Sequence, residues 1–236
     1  RFAELKPYCV ELSIHGACDA TAEALNGVPG SHTKLMRALH LLKERNIRVY
    51  LKCVVTKLVE NELEAIHAIA DQFGFPVTFD PVLTISDDGE SYPLDLQASD
   101  EAIAKLYRTK GLNLGNSPFE RKVGELNCSL AVGTIHVDPF GYVQPCVQWK
   151  KKAGNIRNQS LKEILHTSKV MEEAMKVNQE MIQLLPQLTE HHETCQHCPG
   201  LSLLRYGDAY RLEEQYLRVA RIRHEVMEEE KALQAS

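Results

Sequence analysis

Long hydrophobic runs are missing from this 236-residue chain. No apolar stretch approaches the roughly 20 residues that a membrane-spanning helix needs, and no leader pattern precedes the first strand-like segment. Excess positive charge is missing too. With 27 Lys and Arg against 32 Asp and Glu, the formal net charge is −5, which gives no electrostatic reason to expect nucleic acid or an anionic membrane as partner. The absence of internal repeats and low-complexity segments excludes repeat architectures and long disordered tails. The seven cysteines are an odd number, spread too widely for a disulfide framework, so the expected compartment is a reducing cytoplasm. A starting methionine is also lacking: the sequence opens on Arg1, and we expect it to be a piece of something longer. What remains is 44% hydrophobic and 25% charged, ordinary for a globular chain with one large or two small cores.

Four of the cysteines carry the most legible pattern. Cys128 is followed by Gly141 and Cys146, and after a long gap by Cys195 and Cys198 in a Cys-x-x-Cys pair. Four thiolates so arranged hold an iron–sulfur cluster or a zinc ion. Most all-cysteine zinc sites use two close pairs, and only one pair is close here. Thr134 to Val137 alternates polar and apolar, Asp138-Pro-Phe-Gly141 supplies turn chemistry, and Tyr142-Val-Gln begins a return strand. A turn centred between Pro139 and Phe140 sets Cys146 opposite Gly133, and five further extended residues would carry Cys128 about 16 Å away. Residues 129–133 must therefore fold back if both cysteines share a site, with Gly133 permitting it.

Upstream, residues 9–16, 47–56 and 75–85 read as strands, the last ended or bent by its second proline. Between them lie amphipathic helices, one capped by Ser31 with Leu35, Leu39 and Leu42 inward, one opened by Asn61 with Leu63, Ile66 and Ile69 inward and stopped at Gly74. Ser99 caps a third, to about Lys110. Strand–helix units in succession predict a parallel sheet or barrel. One strand face carries Glu11, Ser13, His15, Lys52, Thr56, Thr78 and Asp80, which predicts a lumen for a polar ligand or an open, solvated sheet. Three units cannot close a barrel, and the first strand's edge wants further strands.

Gly111, Gly115, Asn116 and Pro118 mark a linker. Past the hairpin, Ser160 caps a helix with Leu161, Ile164 and Leu165 apolar. Residues 169–185 continue helical with a core-filling stripe of Met171, Met175 and Met181. His191, His192 and His197 flank the Cys pair and are candidate zinc ligands, with an exposed polar loop the expectation for the first two. Leu201 to about Leu233 reads as a charged helix that packs through Leu204, Tyr210, Leu217 and Ile222, with a solvated Glu-Glu-Glu-Lys end. Cys9, Cys18 and Cys53 read as ordinary thiols, Cys53 on the face that helices cover.

These segments resemble a radical S-adenosylmethionine (SAM) enzyme with an auxiliary-cluster domain of the SPASM/Twitch type. V-E-L-S-I-H-G, N-G-V-P-G-S-H and I-R-V-Y-L-K-C-V-V-T are similar to the second half of that family's partial barrel, and F-D-P-V-L-T-I-S-D-D-G-E to the segment after it. I-H-V-D-P-F-G-Y-V-Q-P-C and A-G-N-I-R-N-Q-S-L-K-E-I-L resemble the auxiliary domain's hairpin and following helix. The resemblance implies an α/β fold: the second half of a partial (β/α)6 TIM-like barrel over residues 1–111, a small α+β auxiliary-cluster domain over 112–200, and a C-terminal helix over 201–236. No cysteine follows Cys198, and position 204 is Leu, so the shorter Twitch form with one cluster is implied. The family's Cys-x-x-x-Cys-x-x-Cys motif, which binds the SAM-cleaving cluster, is absent from this sequence, so the chain alone is expected to be inactive.

For an intact protein the resemblance implies reductive SAM cleavage and hydrogen abstraction from a peptide or small-molecule substrate. An auxiliary [4Fe–4S] cluster on Cys128, Cys146, Cys195 and Cys198 would move electrons. Ser13 would contact the ribose or carboxylate of SAM, and Lys52 its carboxylate. SAM and a second [4Fe–4S] cluster are the further cofactors, and a flavodoxin or ferredoxin the implied electron donor, with no nucleic acid or membrane partner. The competing reading is a zinc-stabilised, non-catalytic binding module with a degenerate half-barrel.

Overall fold

The computed structural model describes residues 2–5, 7–109, 112 and 126–235. Most of the expected linker, Gly111 to Pro118, lies outside the described residues. The chain divides into two compact units, one of Arg1–Leu83, Tyr92–Ser117 and Val226–Ser236, the other of Thr84–Ser91 and Pro118–Glu225.

In the first unit, β1 (Val10–Ser13), β2 (Val49–Val54) and β3 (Val77–Asp80) form a parallel sheet in chain order. The strands obey the period of two that their sequence predicts. Val49, Leu51 and Cys53 of β2 and Val77 and Phe79 of β3 are buried, while the alternate residues are exposed. All three strands are shorter than their sequence pattern suggests. Ile14 and Val55, immediately beyond the strand ends, are fully buried and carry the alternation one residue further, and past β2 it breaks at the buried Thr56.

Helices α1 (Phe2–Leu5), α2 (Asp19–Asn26), α3 (Ser31–Glu44), α4 (Leu63–Phe73) and α5 (Asp100–Arg108) surround the strands in sequence. Helix α2 has no counterpart in the sequence reading. Ser31 is the first residue of α3 rather than its cap, which is Gly30. Glu62, not Asn61, precedes α4. Its carboxylate instead accepts from the Ala17 N–H at 2.7 Å and from the Thr21 hydroxyl, tying α2 to α4. The buried stripe of α4 is Leu63, Ile66, Ala70 and Phe73 rather than Ile69. Ser99 caps α5 as expected, its hydroxyl accepting from the Ala102 N–H at 3.2 Å.

In the second unit, β4 (His136–Val137), β5 (Tyr142–Gln144) and β6 (Gly154–Asn155) make an antiparallel sheet. Helices α6 (Leu161–Thr167) and α7 (Lys169–Leu188) follow. Ser160 and Glu163 form a reciprocal capping box on α6, worth about 1 kcal/mol. The expected C-terminal helix is two: α8 (Pro199–Tyr206) ends at Gly207 (φ 72°), and α9 runs Glu214–Ala235. Among the described residues no helix is long and apolar enough to cross a membrane.

Candidate metal centre

The hairpin forms with its register one residue from expectation. His136 faces Gln144 and Val137 faces Val143, so the turn centres on Phe140. Asp138 sets this geometry: its Oδ1 accepts from the N–H groups of Phe140 (2.8 Å) and Tyr142 (2.9 Å). Gly141 closes the turn at φ 88°, a conformation that costs a side chain dearly.

The fold-back after Cys128 is present. The Ser129 carbonyl accepts from the N–H groups of Val132, Gly133 and Thr134, at 3.0–3.2 Å, and from the Thr134 hydroxyl. The residue that turns the chain is Ala131 (φ 58°), not Gly133. An alanine in the left-handed region stores strain, and it persists where surrounding bonds over-determine it.

Asn178, which the sequence reading missed, is the principal clamp. Fully buried in α7, it accepts from the Cys128 N–H at 3.0 Å and donates to the carbonyls of Cys128 (2.9 Å) and Leu130 (2.8 Å). Asn127 joins this loop to the last cysteine pair by donating to the His197 carbonyl at 3.0 Å. His197 is buried and its Nε2 donates to the Ala209 carbonyl at 2.9 Å, so it locks the Cys-x-x-Cys segment from inside. His191 and His192 are partly buried rather than exposed, and His191 packs on His224 with ring centres 5.2 Å apart.

Cys128, Cys146 and Cys198 come together. Burial pushes the Cys198 thiol up to about 11, with the neighbouring Cys146 and Cys128 acting the same way and the N–H groups of Leu201 and Gly200 opposing. Cys198 stands at the N-cap of α8, where the helix dipole favours a thiolate. Cys146 Sγ accepts from the Gln148 N–H at 3.2 Å. Gly200 is required by close approach: a Cβ there would meet the Gln148 carbonyl carbon at 2.8 Å. Cys195 is fully buried in an apolar cluster with Met181, Leu185 and Ala220. Among the described residues no three His, Cys, Asp or Glu side chains are gathered tightly enough for a single ion. Cys128 and Cys146 are near enough to Cys198 for their charge to raise its pKa. Thiols with N–H groups directed at Cys146 and Cys198 are the donor type that holds an iron–sulfur cluster.

On the other unit, Glu11, Ser13, Lys52, Thr78 and Asp80 share the exposed face of the sheet, with Ser13 beside Lys52 and Lys52 beside Thr78. Lys52 Nζ lies 2.8 Å from Glu11 Oε2, both side chains remaining more than half exposed (58% and 55%). Desolvation by the strand ends pushes the Asp80 carboxyl above its ordinary range, against the Val82 N–H and the Lys52 charge, although the residue keeps exposed surface. One residue expected on this face is buried instead. Thr56 is buried past the end of β2, pairing with Gln97. His15 lies beyond β1 and lines a small cavity with Ser13, Asn26, Ser31 and His32. Cys53 is buried as expected, Cys18 exposed and Cys9 intermediate.

Residues 128–199 match the family model of SPASM, an iron–sulfur cluster-binding domain. No curated protein matches by sequence. The fold is similar to that of anSMEcpe, a radical SAM enzyme with a SPASM domain. A structure of native anSMEcpe with bound AdoMet aligns at TM-score 0.66 and 17% identity, covering 95% of this chain and 67% of that one. A polyhistidine-tagged form with AdoMet gives 0.65 and 17%, covering 95% and 65%. A native form with AdoMet and the Kp18Cys peptide gives 0.63 and 17%, covering 95% and 68%. The chain thus spans about two thirds of the length of these structures.

Proposed function

We propose that this chain is the auxiliary-cluster-bearing portion of a radical SAM enzyme acting on a peptide in the cytoplasm. Residues 1–111 would form the second half of its partial barrel, 112–200 its cluster domain and 201–236 its C-terminal helical segment. The observation that carries this reading is the SPASM match at residues 128–199, coincident with the gathering of Cys128, Cys146 and Cys198. The likeness to anSMEcpe, whose structures contain AdoMet and peptide, supports the barrel half and the peptide substrate.

Cys128, Cys146, Cys195 and Cys198 would hold a [4Fe–4S] cluster. Bound there, the group supplies one-electron transfer, fed by a flavodoxin- or ferredoxin-like donor. The polypeptide's own part is to fix the thiolates. Asn178 holds the Cys128 loop, the Gln148 N–H satisfies Cys146, and the start of α8 satisfies Cys198. Cys195 enters the set by adjacency in the Cys-x-x-Cys. On the sheet, Ser13 and Lys52 would hold SAM through its ribose and carboxylate, alongside the second cluster of the whole enzyme. The Lys52–Glu11 pair is exposed, so exchanging Glu11 for a ligand carboxylate costs little.

Anaerobically reconstituted chain should bind about four irons per molecule. One zinc per chain with no iron would replace this reading by the binding module. Cys195→Ala should lower the iron content as far as Cys198→Ala does; iron binding equal to the unaltered chain would make Cys195 a core thiol. The chain alone should not cleave SAM, and release of 5′-deoxyadenosine by it would show the catalytic cluster to be misplaced.

A further inference from the structure

Two donors beside the gathered cysteines are sealed from water without an acceptor among the described residues. Trp149 and Ser202 are both 0% exposed, and neither Trp149 Nε1 nor Ser202 Oγ has a hydrogen-bond partner there. A buried donor left unpaired is costly, and most buried polar groups in folded chains are satisfied. Of the buried side-chain atoms without a partner among the described residues, these two are donors at positions directly tied to the cysteines. Trp149 pairs with Cys146 in an antiparallel bridge, its backbone N–H reaching the Cys146 carbonyl at 3.2 Å. Cys146 also packs against the cluster of Leu130, Ala174, Val177 and Ala209 that encloses the indole. Ser202 sits one helical turn beyond Cys198, its N–H bonded to the Cys198 carbonyl at 3.2 Å. A serine within a helix commonly returns its hydroxyl to the carbonyl four residues back. Ser202 does not.

The first turn of α8 and the Cys146–Trp149 turn are in close contact through Gly200 and Gln148. Both orphan donors therefore belong to the two segments that meet at this contact, each of which carries one of the cysteines. The buried Gln148 Oε1 in the same turn is unpaired as well, so neither donor is taken up by the acceptor nearest in sequence, whereas thiolate and sulfide sulfur are acceptors that a cluster would bring.

We infer that Trp149 Nε1–H and Ser202 Oγ–H donate to the sulfur atoms of a cluster held by Cys128, Cys146 and Cys198, and that they set its reduction potential. The inference rests on the cluster reading above. An added electron increases the negative charge on the sulfurs, so these bonds strengthen in the reduced form and raise the potential. They are positioned by the fold and take no part in bond making.

Trp149→Phe keeps an aromatic ring and removes the N–H, and Ser202→Ala removes only a hydroxyl. Each variant of the 236-residue chain, and the unaltered chain, would be reconstituted with iron and sulfide and titrated against dithionite under anaerobic conditions, with absorbance reporting the reduced fraction. The expected result is unchanged iron content and a more negative midpoint. At the unaltered chain's midpoint the reduced-to-oxidised ratio should fall roughly five- to tenfold, tenfold being about 59 mV for a one-electron couple. Full iron with an unmoved midpoint in both variants would overturn the inference alone. An unaltered chain that takes up no iron would overturn the cluster reading and this inference with it.

Discussion

On the sheet of the first unit, Lys52 meets Glu11 at 2.8 Å while both side chains keep more than half their surface in water. At the cysteines of the second unit, Asn178 is fully buried with three bonds to one loop, and the Trp149 indole and Ser202 hydroxyl are buried with none among the described residues. The first region is polar and self-satisfied through weak, solvated contacts, ready to exchange partners. The second is held rigidly and left incomplete by its own residues. Exposed ion pairs contribute about 0–1 kcal/mol, whereas a buried amide network that loses one member leaves desolvated groups behind. On the function proposed above, the first would be a site for an exchangeable ligand and the second a site for a resident group.

The comparison breaks most readily at Asn178. Asn178→Ala strands the Cys128 N–H and the carbonyls of Cys128 and Leu130, and each buried orphan costs about 1–3 kcal/mol. A loss of roughly 3–5 kcal/mol in urea denaturation of the metal-free chain is expected, with iron binding abolished. If stability holds, the second region is less rigid than its bonds imply.

Gly200→Ala comes next. The new Cβ meets backbone of Gln148, which cannot rotate away, so α8 must shift. We expect a loss of about 1–3 kcal/mol and reduced iron content, measured on the same preparations. Unchanged iron would show that the α8–Gln148 contact does not set the sulfur positions.

Cys53 allows the first unit's buried face to be tested against its exposed one. Burial pushes its thiol up to about 12, with the negative Glu62 adding to the effect. Its folded pKa thus lies above that of an unfolded thiol, about 8.5. The neutral thiol's contribution is therefore whole below about pH 8.5 and is lost as pH rises toward 12. The stability difference between the unaltered chain and Cys53→Ala should narrow by up to about 2 kcal/mol by about pH 10. A constant difference would mean that Cys53 gains water on the alkaline side.

The smallest effect on stability is expected at Lys52. Lys52→Met removes one exposed ion pair and should change the thermal midpoint by less than about 1 kcal/mol's worth. In a longer protein containing the SAM-cleaving motif, the same change should weaken SAM binding about ten- to a hundredfold. Normal SAM binding with a lower midpoint would make Lys52 a structural partner of Glu11.

The elements read correctly from sequence are those decided by neighbours along the chain. Alternation in V-Y-L-K-C-V fixes which residues of β2 are buried, and Ser99 and Ser160 stand three residues before the N–H groups they cap. Errors arose where a long-range contact outweighed the local pattern. Thr56 continues the polar alternation of β2, yet pairing with Gln97 draws it inside. Gly133 is the locally permissive residue, yet three N–H groups converging on the Ser129 carbonyl put the turn at Ala131.

The sequence by itself determined that four cysteines flank a hairpin, that three strands share a polar face, and that Lys52 and Ser13 lie on it. Periodicity and turn chemistry act over a few residues and need no knowledge of the fold. Only the tertiary structure decided what holds the cysteine loop, because Asn178 is 50 residues from Cys128 and its amide has no sequence signature. The same holds for Trp149 and Ser202. Whether a donor lacks a partner is a property of everything packed around it, and packing is fixed only when the whole unit closes.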